Sequence, residues 1–212
     1  MGEIDRRPWG WGAVDTIVLA AFVAIALGLV ALILCFTLGD KQPLYSAAIV
    51  SLTGLDRADL GRHAGNGLSP LFNLTLRMAS RSIFIGDCTA PGTVVEVSYA
   101  GVPLAAGPVR PFCTKRREAK ELPAVVAWGE AVHVPGFALD GLAADARRGT
   151  PVFDVAVTMP ATHWSGHHGT MVSCRGLRVG DTASLGATCA ASDVDTVVTL
   201  PRPSRKVDGG AN

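Results

Sequence analysis

From Thr16 to Gly39 the chain runs for 24 residues, TIVLAAFVAIALGLVALILCFTLG, without a charged side chain. At a helical rise of about 1.5 Å per residue such a run is roughly 36 Å long, enough to cross a hydrocarbon core about 30 Å thick. Leu, Ile, Val, Ala and Phe fill nearly every position, leaving no polar face for water, so the bilayer is the solvent this segment suits. Secretory leaders carry an apolar region of only about 7–15 residues. The run therefore predicts a retained transmembrane helix over 16–39. Trp9 and Trp11 stand where indole rings favour the headgroup layer, and Arg6 and Arg7 before the span outnumber Lys41 after it. The positive-inside bias then puts residues 1–15 in the cytosol as a short tail and everything after the span on the other side. Ala20, Ala24 and Gly28 form a small-residue stripe of the kind that lets two spans approach, so homo- or hetero-oligomers are an expectation. Met1-Gly2 lacks the Ser or Thr that myristoylation wants, because Arg6 stands there.

The chain beyond the span is the size of one ordinary domain, assigned to residues 40–200, and then a polar tail at 201–212 with too little apolar content to fold. Formal net charge is +1 and the cations are scattered, the densest group being Lys115-Arg116-Arg117, so no extended field for nucleic acid exists. That triplet reads as a solvated turn. Cys35 lies in the span, while Cys88, Cys113, Cys174 and Cys189 all fall on the non-cytosolic side. An even number there suggests two disulfides, for which three pairings exist. Cys88 with Cys113 and Cys174 with Cys189 are favoured because each pair brackets a short hairpin-like segment; four free thiols are the other reading. Asn73-Leu74-Thr75 is an N-glycosylation sequon, usable if Asn73 faces outward.

Beyond the span the hydrophobic period changes to two. Phe72, Leu74, Leu76 and Met78 alternate with polar residues, as do Val95, Val97 and Tyr99, and Phe153, Val155, Val157 and Met159. Strands with one face in a core read this way. Further extended segments are YSAAIVSLTG, ELPAVVAWGEAVHV, GTMVSCRGLRV and DVDTVVTL. HAGNGLSP, YAGVPLAAGPVRP, VPGFALDG and RRGTP carry turn chemistry, and only Leu139 to Arg147 suits a short helix. The expected fold is an all-β ectodomain, an antiparallel β-sandwich of about seven strands.

LSPLFNLTLRM followed by VEVSYAGVPLAAGPVRPF, downstream of a single N-terminal span, resembles the plant late-embryogenesis-abundant group 2 family, in its harpin-induced-like and non-race-specific disease resistance-like membrane branch. Tyr99, Gly101, Leu104, Ala105, Gly107, Pro111 and Phe112 carry most of the resemblance, which extends over about Ala13 to Leu200. It implies a fibronectin-III-like or immunoglobulin-like sandwich, a plasma-membrane or other endomembrane location, and a role in pathogen or abiotic stress responses without enzymatic activity. Where such proteins often carry an Asn-Pro-Asn turn, this chain has Ala79-Ser80-Arg81-Ser82.

Chemistry-bearing motifs are few. His163, His167 and His168 in THWSGHHG have spacing that suits zinc, but the glycines break the helix that would align them and no Glu stands in the stretch as a base. A solvated loop is preferred. No nucleophile elbow, phosphate-cradling loop or dinucleotide fingerprint occurs. Ile85-Gly86-Asp87 before Cys88 reads as a tight turn, and Tyr99 and Trp128 as core or sheet-edge aromatics. No catalytic residue, metal or cofactor is expected. The partners are the lipid bilayer through 16–39 and an unidentified protein or cell-wall component, bound through the loops DRADLGRHAGNG and His163 to Gly169. The alternative role is structural protection of the membrane during dehydration.

Overall fold

In the computed structural model the described residues are 11–39, 42–55, 67–161 and 169–194. Five of the sequence expectations fall wholly or mostly outside them: the tail at 1–15, the loop at Asp56 to Gly67, the histidine loop at His163 to Gly169, the extended segment DVDTVVTL, and the tail at 201–212. Helix α1 (Trp11–Gly39) is longer than the apolar run, starting five residues before Thr16. From Thr16 to Leu34 none of it is buried against the rest of the protein, and by length and composition it is able to cross a membrane.

The described chain continues through β1 (Leu44–Thr53), β2 (Leu71–Ala79), β3 (Val94–Tyr99), β4 (Val102–Pro108), β5 (Ala119–Trp128), α2 (Gly136–Arg148), β6 (Val152–Met159), β7 (Gly169–Arg178), a 3-10 turn (Thr182–Gly186) and β8 (Ala190–Val194). The antiparallel β expectation holds, with eight strands among the described residues where about seven were expected. They form one sheet in the order β1-β2-β5-β4-β3-β6-β7-β8. Its hydrogen bonds do not divide it into two facing sheets; it curls into a half-barrel.

Irregular pairing accounts for the curl. Register shifts interrupt β1–β2 at Ile49/Ser51, β2–β5 at Leu74/Leu76, β3–β4 at Val97/Ser98 and β6–β7 at Phe153/Val155. Each such irregularity increases the local right-handed twist and bends the strand. β4 and β5 meet at the single pair Ala106↔Trp128, where Gly107 passes so close that a Cβ on it would sit 2.0 Å from the Val126 carbonyl oxygen. Only glycine fits there.

Curling brings the far edge of the sheet back to β1. The Ile49↔Val179 bridge is parallel, Gly180 N–H donates to the Ile49 carbonyl (2.8 Å), and Cys189 N–H donates to that of Tyr45 (2.8 Å). Ser184 Oγ reaches the Ala47 carbonyl at 3.0 Å and Arg77 reaches that of Leu185 at 3.0 Å. The segment from Val179 to Cys189 thus lies along an edge that would otherwise present unpaired backbone groups. Four consecutive buried residues, Ser46 to Ile49, mark where β1 is covered on both faces.

Inside lie alternating residues picked out by the period of two: Phe72, Leu74, Val95, Val97, Phe153 and Val155 are all at most 1% exposed. Two expectations were too short. VPLAAGP, read as turn chemistry, is strand β4, and the helix expected from Leu139 begins at Gly136. Pro135 is its N-cap (φ −56°, ψ 144°), its carbonyl accepting from Ala138 and Leu139 N–H. Gly149 (φ 71°) ends it in the left-handed conformation, and Arg147 and Arg148 sit in the last turn where the helix dipole favours cations.

Strand direction sorts the loops onto two ends. β1 leaves α1 at Leu44, which pairs with Ala79, so the β2–β3 connection, the β4–β5 connection and the start of β7 share the proximal end with the exit of α1. The opposite, distal end is closed by α2, whose Ala138 and Leu142 are buried in the core.

Candidate recognition surface

At the distal end the backbone of β3 delivers Tyr99 beneath α2. Its ring packs edge-on against Phe153 at 6.0 Å, which in turn meets Phe72 at 5.3 Å. Its hydroxyl donates to Asp145 Oδ2 of α2 at 2.7 Å, and Asp145 also receives Arg148 one turn on. Gly141 leaves room for the phenol: a Cβ there would stand 3.1 Å from the Tyr99 oxygen. One hydrogen bond thereby ties the capping helix to the core, as the core reading of Tyr99 expects.

Burial, then the hydrogen bond to Asp145, pushes the Tyr99 phenol from its ordinary 10.0 up to about 12. Tyr45 near the other end is likewise raised to about 12 by burial and by the Asp87 carboxylate. The Asp145 carboxyl is held below its ordinary value, chiefly by the Tyr99 hydroxyl and then by Arg148. The signs are opposite. A raised phenol pKa gives stability that is complete below pH 10 and lost as pH rises through about 12; a lowered carboxyl gives stability complete above about pH 4 and lost as pH falls further. The chain's two tyrosines are both of this kind. Ultraviolet titration is therefore expected to show little tyrosinate at pH 10, with ionisation accompanying loss of near-ultraviolet circular dichroism; a group titrating normally at pH 10 in the folded protein would contradict it.

The outer surface at this end is apolar and aromatic. Trp128, the last residue of β5, is 45% exposed and pairs with Leu71, itself exposed. Phe137 in the first turn of α2 is 72% exposed. Trp128 thus lies outside the core, because the strand ends there and its ring falls on the outward face. Gly149, Pro151, Arg178, Gly180 and Asp181 line a shallow depression of about 340 Å³ beside the end of α2. The barrel interior, by contrast, is filled: a cavity of about 20 Å³ between Tyr45, Leu76, Phe112 and Met159 has room for about one water. Phe137 and this depression lie at opposite ends of α2.

Cys88, Cys113, Cys174 and Cys189 are brought together in the favoured pairs, Cys88–Cys113 and Cys174–Cys189. The first sits in the proximal loops; the second ties β7 to the segment along β1. Asn73 is half-buried on the outward side of β2, its amide donating to Ser51 Oγ at 3.0 Å. His163, His167 and His168 lie outside the described residues, and among the described residues no cluster of three or more His, Cys, Asp or Glu is placed to hold a metal ion. Sequence reading missed Phe137 and the exposure of Trp128; the proline before Gly136, a helix-start signal, was the available clue to the former. No family model, curated protein or solved structure matches this chain.

Proposed function

We propose that this chain is a single-pass, non-enzymatic membrane protein of the late-embryogenesis-abundant group 2, harpin-induced-like type, acting by surface recognition in plant defence or stress signalling. The observation that carries the reading is polarity along the molecule: the apolar helix enters a disulfide-braced β domain at one end, and the exposed Trp128 and Phe137 lie at the other. Such a layout presents a rigid binding face away from the bilayer. Two cysteine pairs fit an oxidising, non-cytosolic space. Anchorage at the plasma membrane, the fibronectin-III-like or immunoglobulin-like type, and a glycan on Asn73 belong to this proposal through the family resemblance and the sequon.

The test has two parts. Protease treatment of sealed plant vesicles is expected to cleave the β domain only from the non-cytosolic face. Affinity capture from the same membranes with the full chain, compared with a Trp128→Ser/Phe137→Ser variant, is then expected to lose the specific partner. Both side chains are exposed, so the variant keeps its core. An unchanged partner set would remove the distal face from consideration.

A further inference from the structure

The β2–β3 connection at the proximal end exposes three consecutive large apolar residues: Ile83 (38%), Phe84 (45%) and Ile85 (61%). Exposed apolar runs of this kind are rare on soluble surfaces and mark a contact. The loop that carries them is held rigidly. Ser82 is buried and its Oγ accepts the N–H groups of both Phe84 and Ile85 (3.3 Å each), turning the chain at the tip. Gly86 is pressed onto the neighbouring segment, where a Cβ would meet the Thr114 carbonyl oxygen at 2.0 Å. Below it Thr114 N–H donates to Asp87 (2.8 Å), Thr89 N–H to Phe112 (2.9 Å), and Cys88 is bonded to Cys113. A disulfide and a short ladder thus pin an apolar tip in a fixed pose; the chain bends at Ile83 and Phe84 and not at the Ile85-Gly86-Asp87 turn expected from sequence.

Position and charge say what it meets. Ala79, which leads into this loop, pairs with Leu44, and Leu44 is five Cα steps from the end of α1, at most roughly 18 Å of extended chain. Arg81 on one side of the tip and Lys115, Arg116 and Arg117 on the other are exposed. We propose that Ile83-Phe84-Ile85 is a second membrane contact, inserting into the headgroup layer of the bilayer that α1 crosses, with Arg81 and the Lys115–Arg117 turn against lipid phosphates. This rests on α1 being a retained anchor. Apolar side chains at the rim of the hydrocarbon and cations among phosphates are the pairing an interfacial element uses. A headgroup layer roughly 5–8 Å deep is within the reach of such a tip. A two-point attachment, span plus tip, fixes the tilt of the domain and turns its distal face from the membrane, where a single attachment would leave it free to rotate.

The full chain, assembled as one copy per phosphatidylcholine nanodisc, is the material for the test. A benzophenone-bearing phenylalanine analogue replaces Phe84, or, as the control at the opposite end, the more exposed Phe137. Irradiation is expected to give phospholipid adducts at 84 in several-fold excess over 137, and Arg116→Glu/Arg117→Glu is expected to lower the yield at 84. Non-reduced mass spectrometry confirms that both disulfides persist. Equal yields at the two sites or no lipid adduct at 84 would each overturn the proposal. If the chain instead fails to co-purify with the discs, the anchor reading falls and takes this contact with it, an outcome separable from a disc-bound chain whose residue 84 stays unlabelled.

Discussion

Phe153→Ala is expected to lower the unfolding free energy of the β domain by about 3–5 kcal/mol. The ring is 1% exposed and is the middle of three, touching Phe72 at 5.3 Å and Tyr99 at 6.0 Å. Its removal forfeits transfer energy, leaves a cavity under α2, and breaks two edge-to-face contacts worth about 0.5–1.5 kcal/mol each beyond area burial. Domains of this size are stable by only about 5–15 kcal/mol, so the loss is a large share of the total. Denaturant titration of the full chain in detergent, followed by tryptophan fluorescence, measures it as a shift in midpoint with an unchanged slope. Phe153→Leu, which keeps most of the volume, is expected to cost clearly less. A change below about 1 kcal/mol for the alanine variant, the range of an ordinary surface position, would mean that the ring stack does not hold the capping helix to the sheet.

Replacing Cys174 and Cys189 together by Ser is expected to cost about 3 kcal/mol, from the chain entropy returned to the unfolded state by a loop of 15 residues. The larger consequence is where the loss falls. The bond holds the segment whose Gly180 and Cys189 amides lie on β1 and whose Ser184 reaches the Ala47 carbonyl. Released, that segment bares the β1 edge, a template for pairing with another chain. Hydrogen exchange should accelerate at the Gly180 and Cys189 amides before it does in β2 or β3, and the variant should self-associate. Cys88→Ser/Cys113→Ser opens a longer loop of 25 residues and should destabilise at least as much, yet stay monomeric, because no sheet edge lies beneath that bond. Self-association of equal extent in both variants would show that Cys174–Cys189 is not the closing clasp of the barrel.

The sequence by itself determined what depends on neighbours along the chain. α1 was legible because 24 residues carry no charged side chain and no polar face, and β2, β3 and β6 because a one-residue offset in a strand moves a side chain from core to solvent, which writes Phe72-Leu74-Leu76-Met78 in alternation. β4 was not legible. In VPLAAGP the glycine and prolines carry local turn signals, and the segment is a strand because β3 pairs with it along Val94–Tyr99 and because Gly107 alone allows the Val126 carbonyl so close. The cysteine spacing left three pairings open, and the tertiary fold chose between them by setting Cys174 beside Cys189. What only the tertiary structure decided is which pieces meet at each end: the Ile83–Ile85 tip near the exit of α1, Trp128 and Phe137 at the far end, and a Ser184–Ala47 contact across 137 residues. Periodicity is a local property of the backbone, whereas closure of a curled sheet is set by hydrogen bonds between segments far apart in the chain, and no window of sequence contains both partners.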